Sequence, residues 1–247
     1  MEPQPVLPPP PAPAPRPPRW GLGDFLVGVF GGYALASLVA AIWYAVSGDE
    51  ELNLAGQAVS QMGLWTGMVG AAVVASHRKG AGTLAEDFGF RGKWSDIGFG
   101  LVVALAVQLL VLPGIAYLLR PLLGEPEVSG PVQDLLDKSQ GLAFAGLILS
   151  VAVGAPLVEE LFFRGLLLRS LQRRVPDWAA VVISAVAFGI AHGSALPVDA
   201  VVLVMISLTV FGAILAVMAI RTGRLGPSIV THAVFNLFTL LYLTFTG

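Results

Sequence analysis

The chain has 247 residues, of which 55% are hydrophobic and only 12% charged, and its formal net charge is −2. A soluble domain carries about 25% charged residues, so the composition excludes an ordinary water-facing surface. The absence of cysteine excludes disulfides, iron–sulfur clusters, thiolate zinc sites and cysteine nucleophiles. Basic residues lie at the ends of apolar segments without forming a dense cluster, which indicates no nucleic-acid partner.

The first stretch of the chain, residues 1–20, is rich in proline. Proline removes the N–H donors that helices and strand ladders need, so this stretch is predicted to be a disordered cytoplasmic tail. The next apolar run is long enough to span a bilayer, which indicates an uncleaved helix rather than a signal peptide. We therefore expect a transmembrane domain over residues 21–247, with a catalytic core in 141–247.

Seven apolar segments follow the tail, each near the roughly 20 residues that cross about 30 Å of hydrocarbon. They predict an all-α, polytopic transmembrane helical bundle of about seven spans, within a range of six to eight. The fifth segment is followed by Gly193, Ser194 and Pro197, which leave only a tight turn before the sixth. The segments cover residues 22–47, 55–76, 97–119, 141–168, 178–195, 198–220 and 226–246.

Basic residues flank alternate ends of these segments, before the first and after the second, fourth and sixth. The loops between them, 49–51 and 125–137, are mainly acidic. Because Lys and Arg are enriched in cytoplasmic loops, the pattern predicts a cell-membrane protein with a cytoplasmic N-terminus and an outer C-terminus. The basic set comprises Arg16, Arg19, His77, Arg78, Lys79, Arg91, Lys93, Arg169, Arg173, Arg174, Arg221 and Arg224.

A few ionisable residues lie well inside the apolar segments, where each charge costs about 2.5 to 3.5 kcal/mol on insertion scales. Such groups usually face a protein interior or a watery cavity. All five of them fall in the last four segments, which points to one shared site. They are Glu159, Glu160, Arg164, His192 and His232.

Helical spacing divides these residues by role. Glu160 and Arg164 share a face at i, i+4, which suits a structural ion pair, whereas Glu159 points elsewhere and is available as a general base. His232 and Asn236 share another face and can aim two hydrogen-bond donors at one atom. Packing charges between helices and hydrogen-bonded buried imidazoles remain the competing explanations.

Depth is a difficulty for a common site. Glu159 and His232 lie about two turns from the predicted cytoplasmic ends of their helices, whereas His192 lies about 20 Å from the start of its own. A shared site then requires the fifth helix to begin below the membrane surface, to tilt or to break.

The spelling of the chain narrows the chemistry. It contains no H-E-x-x-H zinc motif, no G-x-S-G serine element and no intramembrane pair of aspartates. These absences remove the familiar metallo, serine and aspartyl intramembrane mechanisms. Glutamate together with histidine is what remains.

Three motifs in the C-terminal half resemble those of the CPBP (ABI) family, which includes the CAAX prenyl endopeptidases and proteins of bacteriocin processing and immunity. EELFFR (159–164) is similar to its EExxxR motif, FGIAH (188–192) to FxxxH and HAVFN (232–236) to HxxxN. The resemblance implies an intramembrane glutamic endopeptidase without a cofactor. By this similarity Glu159 and His192 activate a water, His232 and Asn236 stabilise the oxyanion, and Glu160 and Arg164 support them.

The expected partners are the lipid bilayer and a peptide or membrane-anchored protein substrate, with or without a lipid. Three alternatives stay open. In the first, Glu159, His192 and His232 form a zinc site with an open fourth position. The second is a non-proteolytic scaffold or bacteriocin-immunity protein, and the third is a proton-coupled transporter.

Overall fold

The computed structural model describes residues 18–48, 52–126, 128–193 and 198–246, and within these ranges the regular structure is entirely helical. We number the nine helices of these ranges in chain order. They are α1 (Leu22–Ser47), α2 (Leu54–Lys79), α3 (Leu84–Phe88), α4 (Ser95–Leu123), α5 (Gly130–Asp137), α6 (Leu142–Gln172), α7 (Asp177–Gly193), α8 (Val198–Thr222) and α9 (Gly226–Thr246).

Six of these helices are long and apolar enough to cross a membrane, namely α1, α2, α4, α6, α8 and α9. The remaining apolar helix, α7, corresponds to the fifth predicted segment and is shorter, with 17 residues. The predicted all-α polytopic bundle is confirmed. Each predicted segment corresponds to one helix, and the end of the fifth segment, 194–195, lies outside the described residues.

Small residues bring the first two spans together. A Cβ atom at Gly67 would collide with the backbone of Gly32, and one at Gly63 would lie 3.1 Å from the Cα of Ala36. Helices in lipid gain van der Waals contact when small residues allow close approach. The α1–α2 hairpin is therefore a tight unit on which α6 packs through Phe25 and Phe162.

Two of the long helices widen into π-helical turns just before a proline. The turn Val107–Val111 precedes Pro113 in α4, and Leu149–Gly154 precedes Pro156 in α6. A proline ring removes one backbone hydrogen bond and crowds the preceding turn, which favours such local widening. A third π-helical stretch, Glu160–Leu168, carries part of the EExxxR motif.

The loops that carry positive charge meet at one end of the bundle. The N–H of Leu225 donates to the Gly89 carbonyl at 2.8 Å, and Arg169 Nη2 donates to the Gly223 carbonyl at 3.1 Å. At the other end, the short helix α5 packs its Leu136 with Leu147 and Leu240. The sequence pattern did not predict α5, whose eight residues are too few for a span.

The start of the described chain is anchored at the basic end. Of the predicted tail, residues 1–17 lie outside the described residues, whereas Trp20 is only 4% exposed. Its indole N–H donates to Asp87 Oδ1 at 2.9 Å. The Arg173 guanidinium lies 3.9 Å from the indole ring and donates to the carbonyls of Pro18 and Trp20. Trp20 therefore packs against the basic end of the bundle, because burial removes its large apolar ring from water.

Candidate active site

One carboxylate oxygen of Glu159 faces two imidazole rings. Its Oε2 atom lies 3.5 Å from Nε2 of His192 and 3.8 Å from Nε2 of His232. These side chains come from α6, α7 and α9, and only α8 lies between the last two in the chain. The structure thus brings together the predicted general base and both predicted histidines.

The other nitrogen of each ring fixes its tautomer. Nδ1 of His192 lies 2.8 Å from the Phe188 carbonyl, and Nδ1 of His232 lies 3.1 Å from Glu160 Oε1. Carbonyl and carboxylate oxygens accept hydrogen bonds, so we place a hydrogen on each Nδ1. In its neutral form each ring then presents the lone pair of Nε2 to Glu159.

This arrangement gathers three acceptors around one point. Glu159 Oε2 is buried and has no hydrogen-bond partner among the described residues. A buried acceptor without a donor is costly, and a water molecule or a proton placed between the three groups removes that cost. The geometry therefore suits a water that donates its hydrogens to the carboxylate and to an imidazole.

Glu160 forms the predicted ion pair. Arg164 Nη1 lies 2.9 Å from Glu160 Oε1, and the two side chains are 1% and 0% exposed. Arg164 Nη2 also donates to the Gly212 carbonyl at 3.3 Å, and its guanidinium lies 4.1 Å from the Phe188 ring centroid. Because Glu160 also contacts His232, the pair connects the charge of Arg164 to the catalytic candidates.

The difference in depth is resolved by the lengths of the helices. The fourth span continues beyond its predicted end at residue 168 to Gln172, so Glu159 lies thirteen residues before that end. His192 lies fifteen residues after the start of α7 at Asp177. Antiparallel helices joined by a short turn therefore place both residues about 20 Å from the turn. The helix α7, which is the fifth predicted span, therefore needs no break for His192 to reach Glu159.

The helix α9, which is the seventh predicted span, begins below the end of the bundle. The N–H of Gly226 donates to the Arg91 carbonyl at 3.0 Å, and Leu225 is fully buried. The chain around α3 therefore covers the start of α9. This cover explains why His232, only six residues into its helix, reaches the level of Glu159.

Asn236 takes a contact of its own, one turn beyond His232. Its Nδ2 atom donates to the Val151 carbonyl at 2.7 Å. That carbonyl is available because the Ala155 N–H bonds to Ser150, and Pro156 has no N–H to offer. The structure thus ties Asn236 to the π-helical turn of α6 rather than to Glu159, and leaves its second amide hydrogen for another acceptor.

Access to the site differs among its members. The side chain of His192 is 33% exposed, that of Glu159 15% and that of His232 4%. Next to His192 on α7, Ile190 and Ala191 are exposed on the outside of the bundle. The site is therefore reached from the side of α7 that carries His192.

Three contacts were not predicted from the sequence. The carbonyls of Phe188, Gly212 and Val151 hold His192, Arg164 and Asn236 in place. The first could be expected from the i, i+4 spacing within FGIAH, and the last from the proline that follows Val151. Nothing in the sequence marks Gly212, because its contact depends on how α8 packs on α6.

The zinc alternative would use the same three side chains that meet at Glu159 Oε2. Among the described residues, no group of three or more His, Cys, Asp or Glu side chains is placed to hold a metal ion. The zinc alternative built on Glu159, His192 and His232 stays a prediction, which chelation of the purified protein tests.

Comparison with known proteins finds one similarity, in the C-terminal part of the chain. Residues 141–238 match the family model described as type II CAAX prenyl endopeptidase, Rce1-like. This segment contains all six predicted site residues, and the resemblance inferred from the three motifs is confirmed. No curated protein and no solved structure matches the chain.

Proposed function

Starting from this match to a family of prenyl endopeptidases, we propose that the protein is a membrane-embedded endopeptidase of the CAAX-processing type. One observation carries the proposal: two imidazole Nε2 atoms converge on a single buried carboxylate oxygen of Glu159. Charged and titratable groups inside a bilayer are expensive. A convergence of this kind is typical of a site that moves protons.

In the proposed reaction a water molecule lies between Glu159 and His192. Glu159 takes one proton from the water, whose oxygen bonds to the carbonyl carbon of the scissile peptide. His192 accepts a hydrogen bond from the second hydrogen and so orients the attack. When the C–N bond breaks, the proton held by Glu159 passes to the leaving amine, which restores the carboxylate.

Negative charge develops on the carbonyl oxygen during this attack. His232 can donate to it from Nε2 when the ring is protonated, and the Glu160 carboxylate at 3.1 Å from Nδ1 supports that cation. The second amide hydrogen of Asn236 is a further donor. Each oxyanion donor contributes about 10² to 10³ in kcat in known acyl-transfer enzymes.

Glu160 and Arg164 are positioning residues in this proposal. They hold His232 through Nδ1 and do not need to touch the substrate. The substrate is a peptide or membrane-anchored protein, and the matched family implies that prenylated proteins belong to the candidate class. No cofactor is required, because the carboxylate supplies the base.

The proposal is tested with purified protein in detergent and a library of internally quenched peptides, one half prenylated and the other half not. Peptide cleavage that survives a strong metal chelator supports a glutamic endopeptidase. Loss of cleavage on chelation, restored by zinc, would favour the metallopeptidase. Absence of cleavage throughout would contradict the proposal and favour the scaffold or immunity function, and proton flux in liposomes would then favour a transporter.

A further inference from the structure

An apolar groove lies between α4 and α8, outside the candidate active site. Its volume is about 400 Å³, and it is lined by Val103, Val210, Ala213, Ile214, Val217 and Met218. All six are apolar side chains, and the helices that carry them are membrane spans. The groove therefore fits hydrocarbon rather than a polar ligand.

The α8 side of the groove is one continuous helix face. Val210, Ala213, Ile214 and Val217 recur at intervals of three or four residues, which places them in one row. Val217 is 44% exposed, so the row is open on the outside of the bundle. The same row continues four residues further to Arg221 at the basic end.

The floor of the groove separates it from the peptidase site. Thr231 of α9 contacts the sulfur of Met218 at 3.8 Å. Phe211 is fully buried, stacks on Phe235 at 4.2 Å and packs its ring against His232. This aromatic layer lies between the groove and the histidine. A chain in the groove would contact the support of His232 and not the reacting atoms.

Positive charge marks the end of the groove. Arg221 is exposed and forms no ion pair with the described residues, and Lys93 is exposed just before α4 begins. The nearby carboxylate of Asp96 is already paired with Arg224. Trp94, at the same end, is 89% exposed, and tryptophan is enriched at the level of lipid headgroups.

The distances along the helices agree with a lipid standing in the groove. Val217 lies about 6 Å from Arg221 along α8, and Val103 lies about 14 Å from Trp94 along α4. The cations thus sit at headgroup level, while the apolar lining lies at the depth of the acyl chains. Basic pockets between transmembrane helices on the cytoplasmic side recognise anionic headgroups.

We propose that this groove binds one acyl chain of an anionic bilayer phospholipid, whose phosphate is held at Arg221 and Lys93. The lipid fills the space between α4 and α8 over α9, and so stabilises the helix that carries His232. This binding is independent of the proposed peptidase chemistry.

The test measures binding and melting of the full chain in a nonionic detergent. Phosphatidylglycerol is compared with phosphatidylcholine of the same acyl chains, and retained lipid is counted by native mass spectrometry. We expect phosphatidylglycerol to raise the melting temperature more, with one molecule retained. Arg221→Gln should remove the difference between the two lipids, whereas Arg78→Gln, an exposed arginine at the end of α2, should preserve it.

Filling the groove provides the second arm. Val217→Trp should abolish the stabilisation by phosphatidylglycerol. Ala213→Leu adds less volume and should weaken the stabilisation, and it replaces Val217→Trp if the tryptophan variant does not fold. Val102→Trp is the matched control, because Val102 is 67% exposed and does not line the groove. Equal responses of wild type to both lipids, or an unchanged response in both groove variants, would overturn the proposal. Stabilisation by farnesylcysteine but not by phosphatidylglycerol would overturn it in favour of an isoprenoid chain.

Discussion

Glu159 and Glu160 are adjacent in the chain but meet different surroundings. Glu160 contacts Arg164 and His232 through one oxygen, Oε1. Glu159 Oε2 faces only the two Nε2 atoms, without a hydrogen-bond donor among the described residues. The stability of the bundle should therefore depend on Glu160, and catalysis on Glu159.

The first prediction concerns Glu160→Gln. This change leaves the Arg164 guanidinium buried without its counter-charge, and breaking a buried pair costs about 3 to 5 kcal/mol. We expect a large fall in the melting temperature measured in detergent. The control is Glu125→Gln, which breaks the exposed pair between Arg120 and Glu125 and should change melting little. Similar melting temperatures for the two variants would contradict a structural role for Glu160.

The sequence singles out the candidate site residues because ionisable groups are rare inside a bilayer. The i, i+4 spacing of Glu160 and Arg164 correctly predicts their ion pair. It does not predict that Asn236 donates to the Val151 carbonyl. That contact depends on a free carbonyl in a π-helical turn, which side-chain spacing alone does not reveal.

At the scale of elements, the packing of α7 on α8 sets the position of His192. A Cβ atom at Gly189 would collide with Thr209 Oγ1 and lie 2.7 Å from the Met205 carbonyl oxygen. A backbone oxygen cannot rotate away as a flexible side chain can. Any larger residue at position 189 must therefore push α7 away from α8.

Gly189→Ala is the second prediction. Because His192 follows within one turn, its Nε2 should shift relative to Glu159, and a misplacement of about 1 Å can cost about 10²-fold in rate. We expect kcat for peptide cleavage to fall by that order. Gly70→Ala in α2 is the control, since no atom lies within 4 Å of the added methyl. Equal activity of both variants would show that α7 does not position His192.

The clamp at the start of the chain gives the third prediction. Burial by itself raises the pKa of Asp87, but hydrogen bonds from Ser76, Ala81, Trp20 and Gly82 outweigh it and hold the pKa below the ordinary value of 3.8. A carboxylate with a lowered pKa in the folded state contributes stability above its ordinary pKa. This contribution disappears as the pH falls through the lowered pKa.

We therefore expect the melting temperature of wild type to fall steeply on acidification below about pH 4. Asp87→Asn should melt at a lower temperature near neutral pH and lose less on acidification, because its side chain does not titrate. Asp137→Asn, an exposed position at the other end of the bundle, should follow the wild-type profile. A parallel pH profile of Asp87→Asn and wild type would contradict the assignment.

The boundaries of the elements were predictable to within a few residues, since hydropathy alone sets where a span begins and ends. The predicted first segment, 22–47, coincides with α1, and the last, 226–246, coincides with α9. The extension of α6 to Gln172 was missed because its last turn, RSLQ, is polar. That extension is what brings Glu159 level with His192.

On the scale of the whole molecule, the charge pattern and the fold agree on which loops share an end. Contacts between Leu225 and Gly89, and between Arg19 and Lys79, place three basic segments together. Hydropathy predicts the number of spans, whereas the gathering of these segments depends on packing. The absolute orientation remains a prediction.

The fourth prediction concerns this orientation. Because the chain contains no cysteine, single-cysteine variants report one position each. A membrane-impermeant maleimide applied to intact cells should label Thr246→Cys but reach Arg78→Cys only after permeabilisation. The reason is the positive-inside rule combined with an odd number of spans. Labelling of Arg78→Cys in intact cells would reverse the proposed orientation, and labelling of both positions on one side would contradict seven spans.

The central claim is that Glu159, flanked by His192 and His232, activates a water for peptide hydrolysis. The most direct measurement is cleavage of a quenched peptide substrate by wild type and by Glu159→Gln, with the melting temperature recorded for each. The account predicts that Glu159→Gln loses cleavage to background and melts like wild type, since Glu159 Oε2 has no hydrogen-bond partner to lose. Cleavage retained by a folded Glu159→Gln variant would contradict it.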